Sequence, residues 1–350
     1  MQVTEWIDRY QRRHRWAGFP VAVIYKFFED QGPYLAALIT FYGFLSLFPL
    51  LLLLTSVLGF VLEDNSDLEQ RILDSTLSQF PIIGDQLSDP QGLQGSGAAL
   101  VIGGLIALYG ALGVAQVFQN AMNVVWSVPR HRRPNPVKAR LRSLLLIGTA
   151  GFAVLATTIL SALGGSAAAD GTLLTGWVAL VVSFAAVVVN AAIFIVAFRL
   201  STATKLNVRD VAPGAIIAAV FWQLLQVFGT GYVAHVVRNA DITYGVFAVV
   251  LGLLAWIFLA ALGVVVSAEI NVVRTKHLYP RALLTPFTDN VDLTRADQRA
   301  YTDAANAQRH KGFETVDVTF AHEGQEASAR KRADNEVGTN TREFVPDEDV

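Results

Sequence analysis

Four amides recur on one helical face of the chain: Gln116, Gln119, Asn120 and Asn123, spaced i, i+3, i+4 and i+7. Amide side chains donate and accept hydrogen bonds without fixing a charge, which suits the recognition of polar or amphipathic molecules. The row ends an apolar run and cannot look into hydrocarbon, where each unsatisfied polar group costs several kcal/mol. It faces a bundle interior, a water-filled cavity or the membrane interface. Interhelical hydrogen bonding, at ~0.6 kcal/mol per contact, is the plainer alternative. Glu269, in Ser267-Ala-Glu-Ile-Asn271, is the first carboxylate after Asp241 and closes another apolar run. An ionisable group in that position is a candidate for ion or proton handling; the structural alternative is an ion pair with Arg274 or Lys276. A third set is Thr40, Tyr42, Ser46 and Pro49. Pro49 removes a backbone donor and frees the carbonyl of Leu45, so three hydroxyls accompany a bend. With Asn190, Trp222, Gln223 and Gln226 on further runs, the pattern predicts a polar interior.

Other chemistry lacks its residues. The six histidines (His14, His131, His235, His277, His310 and His322) are scattered, and none forms an H-E-x-x-H pair. No nucleophile elbow or phosphate-binding loop occurs. Cysteine is missing altogether, which excludes disulfides, thiolate metal sites and cysteine nucleophiles. The expectation is a protein that is no enzyme, with no metal and no cofactor.

The elements that must position these residues are six apolar stretches, at about 34–62, 97–126, 143–163, 176–198, 211–229 and 244–267. A helix needs ~20 residues to cross ~30 Å of hydrocarbon. Lysine and arginine alternate between the connections. They are dense in the arm before the first stretch, in 127–142, in 199–210 and after 267, and nearly missing from 63–96, 164–175 and 230–243. This bias predicts both termini in the cytoplasm. The fold class expected is all-α: a polytopic six-transmembrane-helix bundle with N-in/C-in topology in an inner membrane.

Around the bundle the composition shifts. Residues 1–33 form a basic arm in which Phe19, Val23, Ile24, Phe27 and Phe28 take helical spacing. That reads either as an amphipathic helix on the membrane surface or as a helix packed on the bundle. The membrane domain runs over 34–280. The acidic loop 63–96 carries a short amphipathic helix, and the basic loop 127–142 sits against headgroups or simply sets topology. Residues 1–280 sum to +3 and residues 281–350 to −5. The latter reads as an acidic, mostly disordered cytoplasmic tail with a weak helix at 293–308. Nucleic acid is therefore not an expected partner; membrane lipids and a polar or amphipathic substrate are. Ala99, Gly103, Ala107, Ala111 and Ala115 make a small-residue ladder that packs helices within one chain or in a homo-oligomer.

Three ordered segments resemble the YihY/BrkB family of bacterial inner-membrane proteins. They are Ala36-Ala-Leu-Ile-Thr-Phe-Tyr-Gly-Phe-Leu-Ser-Leu-Phe-Pro-Leu50; Leu108-Tyr-Gly-Ala-Leu-Gly113 with Asn120-Ala-Met-Asn-Val-Val-Trp126; and Tyr244-Gly-Val-Phe-Ala248, Leu254-Ala-Trp-Ile257 and Ala268-Glu-Ile-Asn271. The resemblance covers about residues 15–280. It implies a six-helix membrane fold with a transport or envelope-related role, and it draws attention to Pro49, Asn120, Asn123, Glu269 and Asn271. The family's old ribonuclease label finds no metal site or basic RNA groove in these residues. Two readings follow. One is a transporter or lipid-translocating protein whose cavity opens to the cytoplasm between the first, second and sixth spans. The other is a non-transporting scaffold or envelope-assembly factor.

Overall fold

The computed structural model describes residues 2–61, 97–168, 174–232, 242–283 and 293–320. Among them the chain is helical, with no strand. The amphipathic helix expected in 63–96 and the last part of the acidic tail lie outside the described residues.

Nine α-helices are described: α1 (Gln2–Arg13), α2 (Arg15–Glu29), α3 (Gly32–Val61), α4 (Gly97–Val125), α5 (Pro136–Ala168), α6 (Leu174–Ser201), α7 (Val208–Tyr232), α8 (Ile242–Thr275) and α9 (Arg295–Ala307). Three stretches are long and apolar enough to cross a membrane: Val181–Ser201, Val208–Gly229 and Val250–Thr275; Gly32–Leu47 is a shorter apolar one. The six long helices close a ring. Each packs on its neighbour in the chain from α3 to α8, and α8 returns to α3; α4 also reaches across to α6 and α8.

The ring is apolar on its outside. Tyr109, Phe152, Phe184, Phe228 and Phe247 are each at least 68% exposed. Water would penalise such a surface on every side, whereas lipid does not. Integral membrane placement follows.

Close approach inside the ring depends on glycines at two seams. Between α3 and α4, a Cβ at Gly110 would stand 3.0 Å from that of Ser46, and one at Gly113 would stand 2.8 Å from the Tyr42 ring. The ladder residues Ala111 and Ala115 are buried on the same helix; the side chains of Ala99 and Ala107 are outside those described. Between α7 and α8, a Cβ at Gly214 would lie 2.1 Å from the Ser267 carbonyl oxygen. Helix α3 continues through Pro49 to Val61.

One end of the ring is closed by the arm. Ala22, Val23 and Phe27 of α2 pack with Leu35 of α3, Met122 and Val125 of α4, Phe198 of α6, Val211 and Ala215 of α7, Val265 and Val272 of α8, and Ala300 of α9. Both α4 and α8 finish here with a left-handed residue, Ser127 (φ 51°) and His277 (φ 53°). The following amides bond back, Val128 N–H to Asn123 O at 2.8 Å and Leu278 N–H to Val273 O at 3.0 Å. This helix-ending motif tucks the apolar residue after it into the core, and Val128 and Leu278 are each 1% exposed. The basic connections converge at this same end.

Candidate functional site

Helix α2 turns Ala22, Val23, Lys26 and Phe27 inward, so a lysine is carried into the core on an apolar face. Its ammonium pairs with Asp30 one turn on, donates to the carbonyl of Val125 at 3.3 Å and stands 3.9 Å from Glu269 Oε2. A second lysine, Lys276, donates to Trp126 O at 3.0 Å and pairs with Asp303 of α9 at 2.8 Å. Two cations therefore sit on the carbonyl end of α4, where the helix dipole favours positive charge.

Glu269 is completely buried; no N–H or hydroxyl group among the described residues donates to its carboxylate oxygens, and the Asp30 carboxyl lies beside it, close enough to share a proton. Its ionic partner is Lys26. Of the partners available nearby in sequence, Arg274 donates to the Arg209 carbonyl at 3.1 Å and Lys276 is engaged as above. Burial by itself pulls the Lys26 ammonium down, but Glu269 and Asp30 outweigh it and hold the group above its ordinary range. Burial pushes the Asp30 carboxyl up, and Lys26 offsets only part of that.

A second buried charge adjoins the first. Arg281 is fully buried and holds Glu29 with both terminal nitrogens, at 2.6 and 3.2 Å, and Asp297 through Nε at 2.5 Å. Asp297 also accepts from the amides of Ala282 and Thr294, each at 2.9 Å, and completes a capping box at the start of α9. The guanidinium lies 5.6 Å from the centre of the Tyr301 ring. Arg281 is thus fork-bonded, stacked and enclosed, and it fastens α2 to α9. The helix expected weakly at 293–308 is present as α9. Between these helices lies a cleft of about 250 Å³ lined by Lys26, Glu29, Asp30, Ala300, Tyr301 and Ala304.

The amide row divides. Gln119 donates to Ser143 Oγ at 2.8 Å and to Ala139 O at 3.2 Å, joining α4 to α5. Asn123 donates to Gln119 O and accepts the Ala203 amide, both at 2.8 Å, joining α4 to the segment between α6 and α7. Asn120 is exposed and accepts from Arg133 at 3.0 Å, and Gln116 is exposed. Asn271 accepts the Gly214 amide at 2.7 Å and ties α8 to α7. Thr40 and Ser46 bond back to carbonyls of their own helix, Ala36 O at 2.7 Å and Gly43 O at 3.0 Å. Tyr42 covers Gly113, and the Pro49 side chain lies outside those described. Asn123, Glu269 and Asn271 come to the arm end of the ring, whereas Tyr42 and Ser46 lie along the α3–α4 seam.

Lys26, Glu29, Asp30, Arg281 and Asp297 are not singled out by the sequence reading. One signal was present: a lysine between Val23 and Phe27 on the apolar face of α2, with an acid four residues on. Nothing local marks Arg281, whose partners are remote in the chain. Among the described residues no group of three or more histidine, aspartate and glutamate side chains is placed to hold a metal ion.

Fold and surface together define a helical integral membrane protein. The family model described as "Virulence factor BrkB" matches residues 23–288, and the chain belongs to that family, also called YihY/BrkB. A UPF0761 membrane protein of Psychrobacter sp. (strain PRwf-1) is 28% identical over 295 residues, which is 80% of this chain and 53% of that protein. The chain therefore spans about half the length of that relative. YfkH of Bacillus subtilis (strain 168), whose name describes it as ribonuclease-like, is 25% identical over 256 residues, 69% of this chain and 89% of that one. No solved structure matches. The family is one of membrane proteins and is not a known enzyme family.

Proposed function

We propose that this chain is a multi-pass protein of the bacterial inner membrane, with α3 to α8 as six spans and both termini cytoplasmic. In this reading it moves a polar or amphipathic molecule, lipids included, and Glu269 with Lys26 and Asp30 forms the charged site at the cytoplasmic mouth. The buried carboxylate carries the reading. Glu269 receives no N–H or hydroxyl donor among the described residues; its polar neighbours are the Lys26 ammonium at 3.9 Å and the Asp30 carboxyl, with which it can share a proton. A purely structural buried charge is ordinarily well hydrogen-bonded, so an under-satisfied one favours a working group that exchanges partners or a proton. The basic connections gathered at the arm end support the orientation. Thr40, Gln119, Asn123 and Asn271 would line the path by exchanging their present hydrogen bonds for ones to the passing molecule.

The test uses the purified full-length protein in liposomes. Flipping of a fluorescent phosphatidylethanolamine is followed by dithionite quenching, and proton entry under an imposed pH gradient by a trapped dye. Movement above protein-free vesicles that falls to background in Glu269→Gln, with unchanged melting, supports the proposal. Wild-type vesicles that match empty ones in both assays overturn it for these cargoes, and an unaffected variant removes Glu269 from the mechanism.

A second reading, a scaffold that moves nothing, draws on the interhelical ties made by Gln119, Asn123 and Asn271 and on the Arg281 fastening of α9. The same vesicles separate the two: a scaffold shows no movement with or without Glu269.

A further inference from the structure

Helix α2 has a second apolar face that nothing among the described residues covers. Trp16, Pro20, Ile24 and Phe28 recur every four residues opposite the buried Ala22, Val23, Lys26 and Phe27. Trp16, Ile24 and Phe28 are 69%, 55% and 64% exposed. Immediately after them in the chain, Tyr34, Leu38, Phe41 and Leu45 form the exposed apolar stripe of α3, part of the outer surface that faces lipid. On the other side of the stripe, Trp6 stacks on Tyr10 and Tyr10 on His14, with Trp16 edge-on to both Tyr10 and His14. Arg13 and Arg15 are exposed beside this aromatic row, and Arg130, Arg132, Lys138 and Arg140 are exposed at the same end of the ring.

We infer that the α1–α2 arm lies in the headgroup layer of the bilayer that holds the ring, as a binding surface for anionic lipid. The apolar stripe of α2 enters the acyl boundary, and the tryptophans and Tyr10 sit at headgroup depth. The arginines meet lipid phosphate and the negative surface potential. Three observations select this occupant. The stripe is continuous along the chain with the lipid-facing surface of α3. Its composition, aromatic and aliphatic beside arginine, is that of an interfacial helix. The flanking charge is positive, which complements an anionic leaflet. The arm then does two jobs at once: its inner face closes the ring end over Glu269, and its outer face fixes that closure to the membrane.

Because the chain has no cysteine, depth can be read from single-cysteine variants of the full-length protein. Trp16→Cys, Ile24→Cys and Phe28→Cys, with Arg13→Cys for comparison, are spin-labelled. They are reconstituted in phosphatidylcholine bilayers with and without phosphatidylglycerol. The expected result is an oxygen-to-nickel-complex accessibility ratio several-fold higher at positions 24 and 28 than at 13. That contrast should be larger with phosphatidylglycerol, and the lipid dependence should be lost in an Arg13→Gln/Arg15→Gln background labelled at position 24. Positions 24 and 28 as open to the nickel complex as position 13 in both bilayers would overturn the inference. So would immobilised labels with spin–spin broadening that disappears on dilution with unlabelled protein, since the stripe would then be covered by a second copy.

Discussion

Replacing Lys26 by methionine isolates the charge that joins the arm to the ring. Lys26 is 3% and Glu269 0% exposed, so water screens their attraction very little. Two charges at about 4 Å attract by ~4 kcal/mol at an effective dielectric of ~20, and the pair stands at 3.9 Å. Methionine keeps most of the side-chain volume but leaves Glu269 and Asp30 without their cation and Val125 O without its donor. Removing one partner of a buried pair typically costs ~3–5 kcal/mol. At roughly 2 °C per kcal/mol, the apparent Tm should fall by about 6–10 °C. Tryptophan fluorescence in nanodiscs reads this well, because Trp126 lies in the same core as Ala22 and Phe27. The diagnostic variant is the double, Lys26→Met with Glu269→Gln. Removing the stranded carboxylate should return about 1–3 kcal/mol, the coupling expected of residues in direct contact. Strict additivity, with no recovery in the double, would show that Glu269 does not feel Lys26 and would refute the electrostatic account of the site.

Three further perturbations probe the frame around that pair. Gly214→Ala puts a methyl group 2.1 Å from the Ser267 carbonyl and 2.5 Å from Asn271 Nδ2. Because the first obstacle is backbone, α7 and α8 must separate, and a loss of ~1–3 kcal/mol or more is expected in the same melting assay. Asn123→Ala strands the Ala203 amide, which donates to Asn123 at 2.8 Å, for a loss of ~1–3 kcal/mol. Asn120→Ala, at an exposed position, should change little; equal effects would argue against burial as the cause. Arg281→Lys cannot reproduce the two-nitrogen grip on Glu29 together with the Nε bond to Asp297. Amide exchange across 295–307 should therefore accelerate in that variant while exchange in α8 above Glu269 stays slow. Unchanged protection of α9 would mean that Arg281 is not what holds it.

The residues themselves determined that this is a helical membrane protein. Apolar runs of about twenty or more residues leave a backbone no other way to satisfy its polar groups in lipid, and the three family signatures lie within such runs except for Ala268-Glu-Ile-Asn271, which follows the last one. The small-residue ladder on α4 suggested close helix packing, because only short side chains let two helices approach; the close approach to α3 seen in space is made by Gly110 and Gly113, which lie off the ladder. Local spacing put Gln116, Gln119, Asn120 and Asn123 on one face that should avoid lipid, and only Gln119 and Asn123 are buried; Glu269, at the end of a span, is buried as well. Spacing could not say what these residues and Asn271 meet, because hydrogen bonds and ion pairs follow distance in space. Ser143, Ala203, Lys26 and Gly214 are contributed by other elements. The same reason hid Arg281, an ordinary arginine after a helix whose carboxylates come from α2 and α9. Tertiary structure alone turned a lysine on an amphipathic arm and a glutamate at the end of a span into one buried site. Folding the arm back under the ring removes both from water, and a charge without water must find its partner in the protein.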